Sequence, residues 1–329
     1  MKIAVATEGA MVAEHFGHCL EEVDELEVVS VMDNYADSLL PGSAVVKRFS
    51  TLAGGQIISD ALFAEHGLSL LLRARRDDRE SSILLDAGWS GEGTMHNLRL
   101  LKIDLSSIEA VVLSHGHMDH FGGLIRVIDA IGKKVPVVCH PGAFQNSRFR
   151  LMPDGRKIRF PLLEKEKLEA AGAQVVESKE PCLLGGDFFA TTGEVARTTE
   201  FEKGAPNFFV EVGGTLEKDY VPDDQGIVVL VRGKGLVVVS GCAHAGIINT
   251  ICQAREITGV ERVYAVLGGF HLSGPHFEKI VAPTVQSLKN LGLQVLAPMH
   301  CTGWRTTHHL AQEFEQSFIL NSVGSVFKL

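Results

Sequence analysis

Between residues 113 and 123 the chain reads Leu-Ser-His-Gly-His-Met-Asp-His-Phe-Gly-Gly, so four side chains able to ligate a cation, His115, His117, Asp119 and His120, fall within six residues. With a single residue between them, His115 and His117 can reach one ion from an extended or turning backbone. Asp119 and His120, one step further round the turn, can reach a second. Imidazoles with a hard carboxylate suit Zn²⁺ or a similar first-row ion, with Mg, Mn and Fe left open. A polar loop capping a helix would account for one such histidine but not for the whole HxHxDH pattern.

Such ligands need rigid elements behind them. Ile108, Val111, Val112 and Leu113 read as a buried strand delivering the loop, and Leu124–Ile131 reads as the helix that leaves it. Other strand-like runs also stop at residues with chemical potential. Residues 28–32 end in Asp33-Asn34-Tyr35-Ala36-Asp37. The segment 65–72 and a charged turn at 73–80 lead to a strand at 82–85, which ends in Asp86-Ala87-Gly88. Val135–Cys139 stops at His140, and 187–190 runs into Thr191-Thr192-Gly193-Glu194-Val195. Residues 224–231 and Gly235–Ser240 form a hairpin that ends in Ser240-Gly241-Cys242-Ala243-His244-Ala245-Gly246. Residues 262–267 close on Gly268-Gly269-Phe270-His271-Leu272, and 294–298 on Met299-His300-Cys301-Thr302-Gly303. Helical patterns cover 95–101, 163–171, Ile247–Thr258 and about 275–291, and a last helix exposes His308 and His309.

HxHxDH after a strand resembles the signature of the metallo-β-lactamase superfamily. The resemblance implies an α/β fold, the αββα sandwich of two mixed β-sheets flanked by helices, over residues 28–329. It implies a metal set of His115, His117, Asp119, His120, His244 and His300. Asp86 then either orients site residues from behind or caps its turn. Where the superfamily usually has a third histidine after Thr-x-Gly this chain has Glu194, so either a carboxylate replaces that ligand or the first metal loses a donor. Where it usually has a bridging Asp the chain has Cys242. His244, two residues on, is the favoured ligand, with a buried inert Cys242 as the companion reading. His300 matches the final ligand, His271 being the alternative and otherwise an extra active-site histidine.

The motifs DNYAD, LLDAG, SHGHMDHFGG, TTGEV, SGCAHAG, GGFHL and HCTG together resemble one branch of that superfamily. It is described as metal-dependent hydrolases and also contains a synthase that joins a dihydropterin to ribofuranosylaminobenzene 5′-phosphate in methanopterin synthesis. Residues 1–27 stand apart. Their EHFGHC resembles the opening of nitrogenase iron–molybdenum cofactor-binding domains but breaks off, so they read as an appendage rather than a metal site at His15, His18 and Cys19.

The bulk composition narrows the classes. The formal net charge is −9, which argues against a general nucleic-acid binder. No apolar run reaches the roughly 18 residues a membrane span needs. MKIAVATEGA is too polar for a signal peptide, and six cysteines without a CxxC pair suit reduced thiols, so a cytoplasmic protein is expected. The basic span 143–162, with Arg148, Arg150, Arg156, Lys157 and Arg159, reads as a long loop or small insertion over the site. It either pairs with a phosphate or carboxylate of a small-molecule substrate or is simply solvated.

The leading expectation is a dizinc hydrolase that activates water against an ester, lactone or phosphoester. Asp119 would relay the proton and His271 would steady the developing negative charge. The alternatives are a transferase condensing a dihydropterin pyrophosphate with ribofuranosylaminobenzene 5′-phosphate, and a metal-binding protein without turnover.

Overall fold

Strands that are apolar along their whole length need cover on both faces, and this chain supplies it with two sheets stacked between helices. The computed structural model describes residues 4–5, 19–145 and 147–329. The first sheet has the order Ala173–Glu177, Val135–Cys139, Ile108–Val112, Arg79–Leu85, Ser69–Arg76, Glu25–Met32, Val326–Lys328, Val46–Lys47. The second has the order Ala4–Val5, Cys182–Leu184, Phe189–Thr191, Gly226–Val231, Gly235–Ser240, Val263–Gly269, Val295–Met299. Leu70, Leu72, Ile83, Leu85 and Val112 of the first sheet share a dry interior with Ile227, Val229, Val237, Val239 and Leu267 of the second. The outer face of the first sheet packs on Leu124–Ile131, whose Leu124, Val127, Ile128 and Ile131 make one apolar stripe. Ile247–Thr258 covers the outer face of the second. This is the αββα sandwich expected from the sequence.

Both sheets are mixed, and their parallel strands set where the site lies. Arg79–Leu85, Ile108–Val112 and Val135–Cys139 run parallel, as do Gly235–Ser240, Val263–Gly269 and Val295–Met299. Their carboxyl ends share one rim, the place where open α/β sheets collect functional groups. Gly241 lets the two sheets close on each other there, because a Cβ at that position would meet Ser114 Oγ at 2.1 Å.

Three segments add detail to their sequence reading, and the first departs from it. The charged stretch 73–80 is strand on both sides of a turn at Asp77, because Arg73 and Arg75 sit opposite Glu27 and Glu25 and pair with them. The span 143–162 is not a long loop. Arg148–Leu151 and Lys157–Arg159 form a hairpin that joins Phe208–Val212 and Thr215–Lys218, two strands without a clear periodic signal, in a small antiparallel sheet. Arg148 on that hairpin is buried, held by Asp219 at 2.9 Å and bidentately by Asp223. Finally, Ala4–Val5 adds an edge strand to the second sheet, and Cys19 is exposed, while His15 and His18 lie outside the described residues. Among the described residues no helix is long and apolar enough to cross a membrane.

Candidate metal centre

The rim is strained where it carries chemistry. Asp86, Ala243, His271 and His300 all have left-handed backbones, with φ of 60°, 52°, 44° and 50°, each a conformation that costs roughly 1 kcal/mol or more for a side chain with a Cβ. Hydrogen bonds hold two of these turns in place. Asp86 accepts the Ser114 backbone N–H at 2.7 Å and the Ser114 hydroxyl at 2.7 Å. Asp33, at the end of Glu25–Met32, accepts the backbone N–H of His300 at 2.8 Å.

These contacts also settle which way the imidazoles face. His120 Nδ1–H donates to Asp86 Oδ2 at 2.6 Å. The Ser114 hydroxyl is committed to Asp86, so its oxygen accepts from His115 Nδ1–H at 3.0 Å. His300 Nδ1–H donates to Asn34 Oδ1 at 3.0 Å, while the Asn34 amide returns a bond to the His300 carbonyl. Each of the three rings therefore turns an Nε2 lone pair inward, the arrangement in which outer hydrogen bonds prepare histidines for metal.

The inward atoms gather in two sets. His115 Nε2 lies 2.9 Å from His117 Nδ1 and 3.1 Å from His244 Nε2. One proton cannot satisfy three converging ring nitrogens, whereas a cation shared among them can. In the second set Asp119, His120, Cys242 and His300 each offer a donor atom within 4.8 Å of all the others, and Cys242 stands equally close to His115 and His244. His300 Nε2 is 3.1 Å from Asp119 Oδ2, and His120 Nε2 is 3.1 Å from Cys242 Sγ.

The charge pattern fits the same occupant. Burial, then neighbouring positive groups, hold His115 and His244 well below the usual histidine range, and burial with Arg148 nearby brings His117 to about 3, so these rings are neutral ligands. Burial opposes charge on His120 too, but Asp86 and Asp119 push it up to about 9. Burial likewise works against ionised Asp119, yet His120 and His300 draw it well below the carboxylate range. Two carboxylates, Asp86 and Asp119, thus favour positive charge at this point, and a divalent ion on the inward nitrogens would supply it.

The structure brings together all six residues read from the sequence as ligands, and its geometry bears on the alternatives left open. Cys242 is no bystander, since its sulfur belongs to both sets, and His244 stands beside it. Glu194 is absent from both sets. It is half-exposed and faces His140 Nε2 at 3.3 Å, and His244 occupies the third-nitrogen place from another loop. His300, not His271, joins Asp119 and His120. His271 lies tilted against His244 with ring centres 4.2 Å apart, and its buried Nδ1 has no polar partner among the described residues. Asp86 acts from behind the ligands and not as a simple turn cap. Sequence reasoning gave no role to Asp33, Asn34, Ser114 or His66, whose Nε2 is 3.6 Å from Asp119. The first two stood in the noted DNYAD strand end, so the signal was present without a partner to interpret it.

Above the rim opens a cavity of about 1060 Å³, lined by Trp89, Phe160, Phe208 and Phe277 with His66, His271 and Arg150. Phe160 stacks on His117 at 4.7 Å and 15°, so the small antiparallel sheet forms the wall over the first donor set. Of the basic residues expected to face a substrate, only Arg150 lines this space. Arg148 is buried in its ion pairs, Arg156 pairs with Asp154 at 2.7 Å, and Arg159 lies over Phe149.

Comparison with known proteins agrees with this geometry. The family model for the metallo-beta-lactamase superfamily matches residues 64–244, from the first hairpin through His244. The chain is 34% identical over 272 residues to the 7,8-dihydropterin-6-methyl-4-(β-D-ribofuranosyl)-aminobenzene-5′-phosphate synthase of Methanocaldococcus jannaschii, covering 81% of this chain and 90% of that protein. Among solved structures it resembles Tm1679, described as a metal-dependent hydrolase of the β-lactamase superfamily, with TM-score 0.69, 24% identity, and coverage of 92% of this chain and 98% of that one. It also resembles the metallo-beta-lactamase fold protein YhfI from Bacillus subtilis, with TM-score 0.50, 13% identity, and coverage of 93% and 100%. These two likenesses speak to the fold. On the family match and the relative together, the chain belongs to the metallo-β-lactamase superfamily.

Proposed function

We propose that the chain is a two-metal transferase that condenses a pyrophosphate-activated pterin-like ring with a phosphorylated arylamine, using His115, His117 and His244 for one ion and Asp119, His120 and His300 for the other, with Cys242 between them. A thiolate beside imidazoles favours zinc over magnesium. The observation that carries this reading is the 1060 Å³ aromatic-walled cavity standing directly on the donor sets. A lone ester and a water need little of that space, whereas two planar rings fill it and stack on Trp89, Phe160, Phe208 and Phe277. The relative that is 34% identical over most of its length is a synthase for such a product.

His115, His117, His244, Asp119, His120 and His300 would hold ions that, when bound, would supply Lewis-acid stabilisation of the charge on the departing pyrophosphate. The remaining work falls to side chains. Arg150, on the cavity wall, suits a bidentate grip on the arylamine's phosphate. The amine nitrogen bonds to the methylene carbon of the pterin as the carbon–oxygen bond to pyrophosphate breaks. Asp119, which keeps one edge toward the cavity, takes the proton that the amine loses. His271 donates to an oxygen of the leaving group, and the aromatic walls exclude water from the reacting carbon.

Hydrolysis by the same rim is the second reading. It is favoured by Asp119 facing the open cavity, where it can accept a proton from water as readily as from an amine. Pyrophosphate release from a pterin methyl pyrophosphate, followed with and without an arylamine phosphate, separates the two. Release that needs both substrates supports the transferase. Equal release in water alone makes the chain a hydrolase. Bound metal with no release from these or from ester, lactone and phosphodiester substrates leaves a non-catalytic metal-binding protein.

A further inference from the structure

Two strands that are not neighbours bring their trailing cysteines together. Gly235–Ser240 and Val295–Met299 lie on either side of Val263–Gly269, and Cys242 follows the first while Cys301 follows the second. Gly269 stands between them. A Cβ there would meet the Gly241 carbonyl at 2.3 Å, Cys301 Sγ at 2.7 Å and Cys242 Cα at 3.3 Å. The missing side chain is what lets the Cys301 sulfur lean across the middle strand.

The contacts on that sulfur show how it is aimed. Cys301 S–H reaches the Cys242 carbonyl at 3.5 Å, and the backbone N–H of His271 donates to Cys301 Sγ at 3.3 Å. The two sulfurs lie within 4.8 Å of each other. Both residues are buried, yet both line the cavity, so a small reagent that enters it meets them. The other four cysteines are not part of this cluster. Cys139 and Cys182 are buried elsewhere, and Cys19 and Cys252 are on the surface.

We propose that Cys242 and Cys301 form a reversible disulfide that withdraws the sulfur shared by both donor sets. A peroxide entering the cavity oxidises one thiol to a sulfenic acid and leaves as one water. The second sulfur attacks that sulfur, its hydroxyl departs as a second water, and the S–S bond closes. Two S–H bonds are broken, and the two electrons and two protons pass to the peroxide. The sulfurs must approach to about 2.05 Å, and a side chain at position 269 would stand in the way. Because Cys242 touches both sets, a single bond strips one donor from each at once. The cross-link forms whichever reaction the cavity hosts.

The test treats the full-length, metal-loaded protein with hydrogen peroxide and follows thiols, peptides and released metal. The expected result is a fall from six titratable thiols to four and a peptide pair joined through Cys242 and Cys301 with a mass loss of about 2 Da. Metal is released in step with the cross-link, and a dithiol reductant restores both thiols and metal binding. Cys301→Ser forms no cross-link through Cys242 under the same treatment, and its thiol loss at Cys242 stops at the oxidised single residue. If Cys242 of the wild-type protein instead accumulates as the sulfinic acid, or if cross-links form only through Cys19 or Cys252, the proposal fails. The wild-type peptide map alone decides should the variant not fold.

Discussion

The two halves of the rim are held in different ways. Asp119, His120 and His300 are braced by charge and by hydrogen bonds from Asp86, Asn34 and Asp33. In the other half only His115 has such a brace, from Ser114. His117 Nε2 and His244 Nδ1 have no polar partner and rest against the rings of Phe160, Phe208 and His271. One half brings carboxylates to the ion, and the other brings neutral nitrogens shaped by packing. A divalent cation gains more from the first, and burial makes the difference larger than it would be in water. The halves should therefore fill in order, the charged one tightly and the neutral one loosely.

The sharpest way to break this contrast is to remove its charge. Asp119→Asn keeps the shape but takes away both negative charge and proton acceptor, and turnover should fall on the order of 10²–10⁴-fold with loss of the tightly held ion. A variant that keeps both ions and most of its rate would contradict the assignment. Arg148→Met attacks the other half through its support. It leaves Asp219 and Asp223 buried without their partner, and Asp223 also accepts the Gly116 N–H between His115 and His117 at 2.7 Å. The expected loss is about 3–5 kcal/mol of folding stability, read from urea unfolding, and a change under 1 kcal/mol would show the pairs to be incidental.

Asp86→Asn should weaken metal binding about 10–100-fold, more at the charged half, whose His120 it holds directly, than at the neutral half, which it reaches only through Ser114. Loss spread evenly over both ions would mean the halves are not separate. The smallest expected effect is on pH. Glu202 caps Ile247–Thr258 through the Ile248 and Asn249 backbone N–H groups, at 3.0 and 2.8 Å, yet burial outweighs these bonds and raises it from 4.5 to about 7. A carboxyl raised on folding contributes stability that is fully present below its unfolded value and is lost as pH rises through its folded value. Stability should thus decline between about pH 4.5 and 7 with a slope on the order of 1 kcal/mol per pH unit. Glu202→Gln should flatten that decline, and an unchanged slope would assign it to other groups.

What could be read from the sequence follows the same division. HxHxDH is legible because its four ligands are contiguous and stand between a strand and an amphipathic helix. The apolar runs of both sheets likewise carry their burial in their composition. Asn34 and Asp33 were not legible as supports for His300, because more than 260 residues separate them and only the stacking of the two sheets closes that gap. At Glu194 the sequence leaves two readings open, a carboxylate ligand or a lost donor, because the direction of its side chain depends on a distant partner. In the structure the carboxylate faces His140 at 3.3 Å, and His244 comes from another loop to stand beside His115. The small sheet over the cavity is legible only as a loop or insertion, because its strands pair at long range and mix charges with aromatics, giving no clear period of 2. Arg148 looked like a substrate-facing cation for the same reason, since its two acidic partners lie about seventy residues further along the chain.

Calorimetric titration of metal-free protein with Zn²⁺, set beside Cys242→Ala, tests the account at its centre. Two donor sets of unequal charge sharing one sulfur predict two ions per chain in two resolved steps, both weakened in the variant. A single step, or two steps untouched by the loss of Cys242, would contradict it.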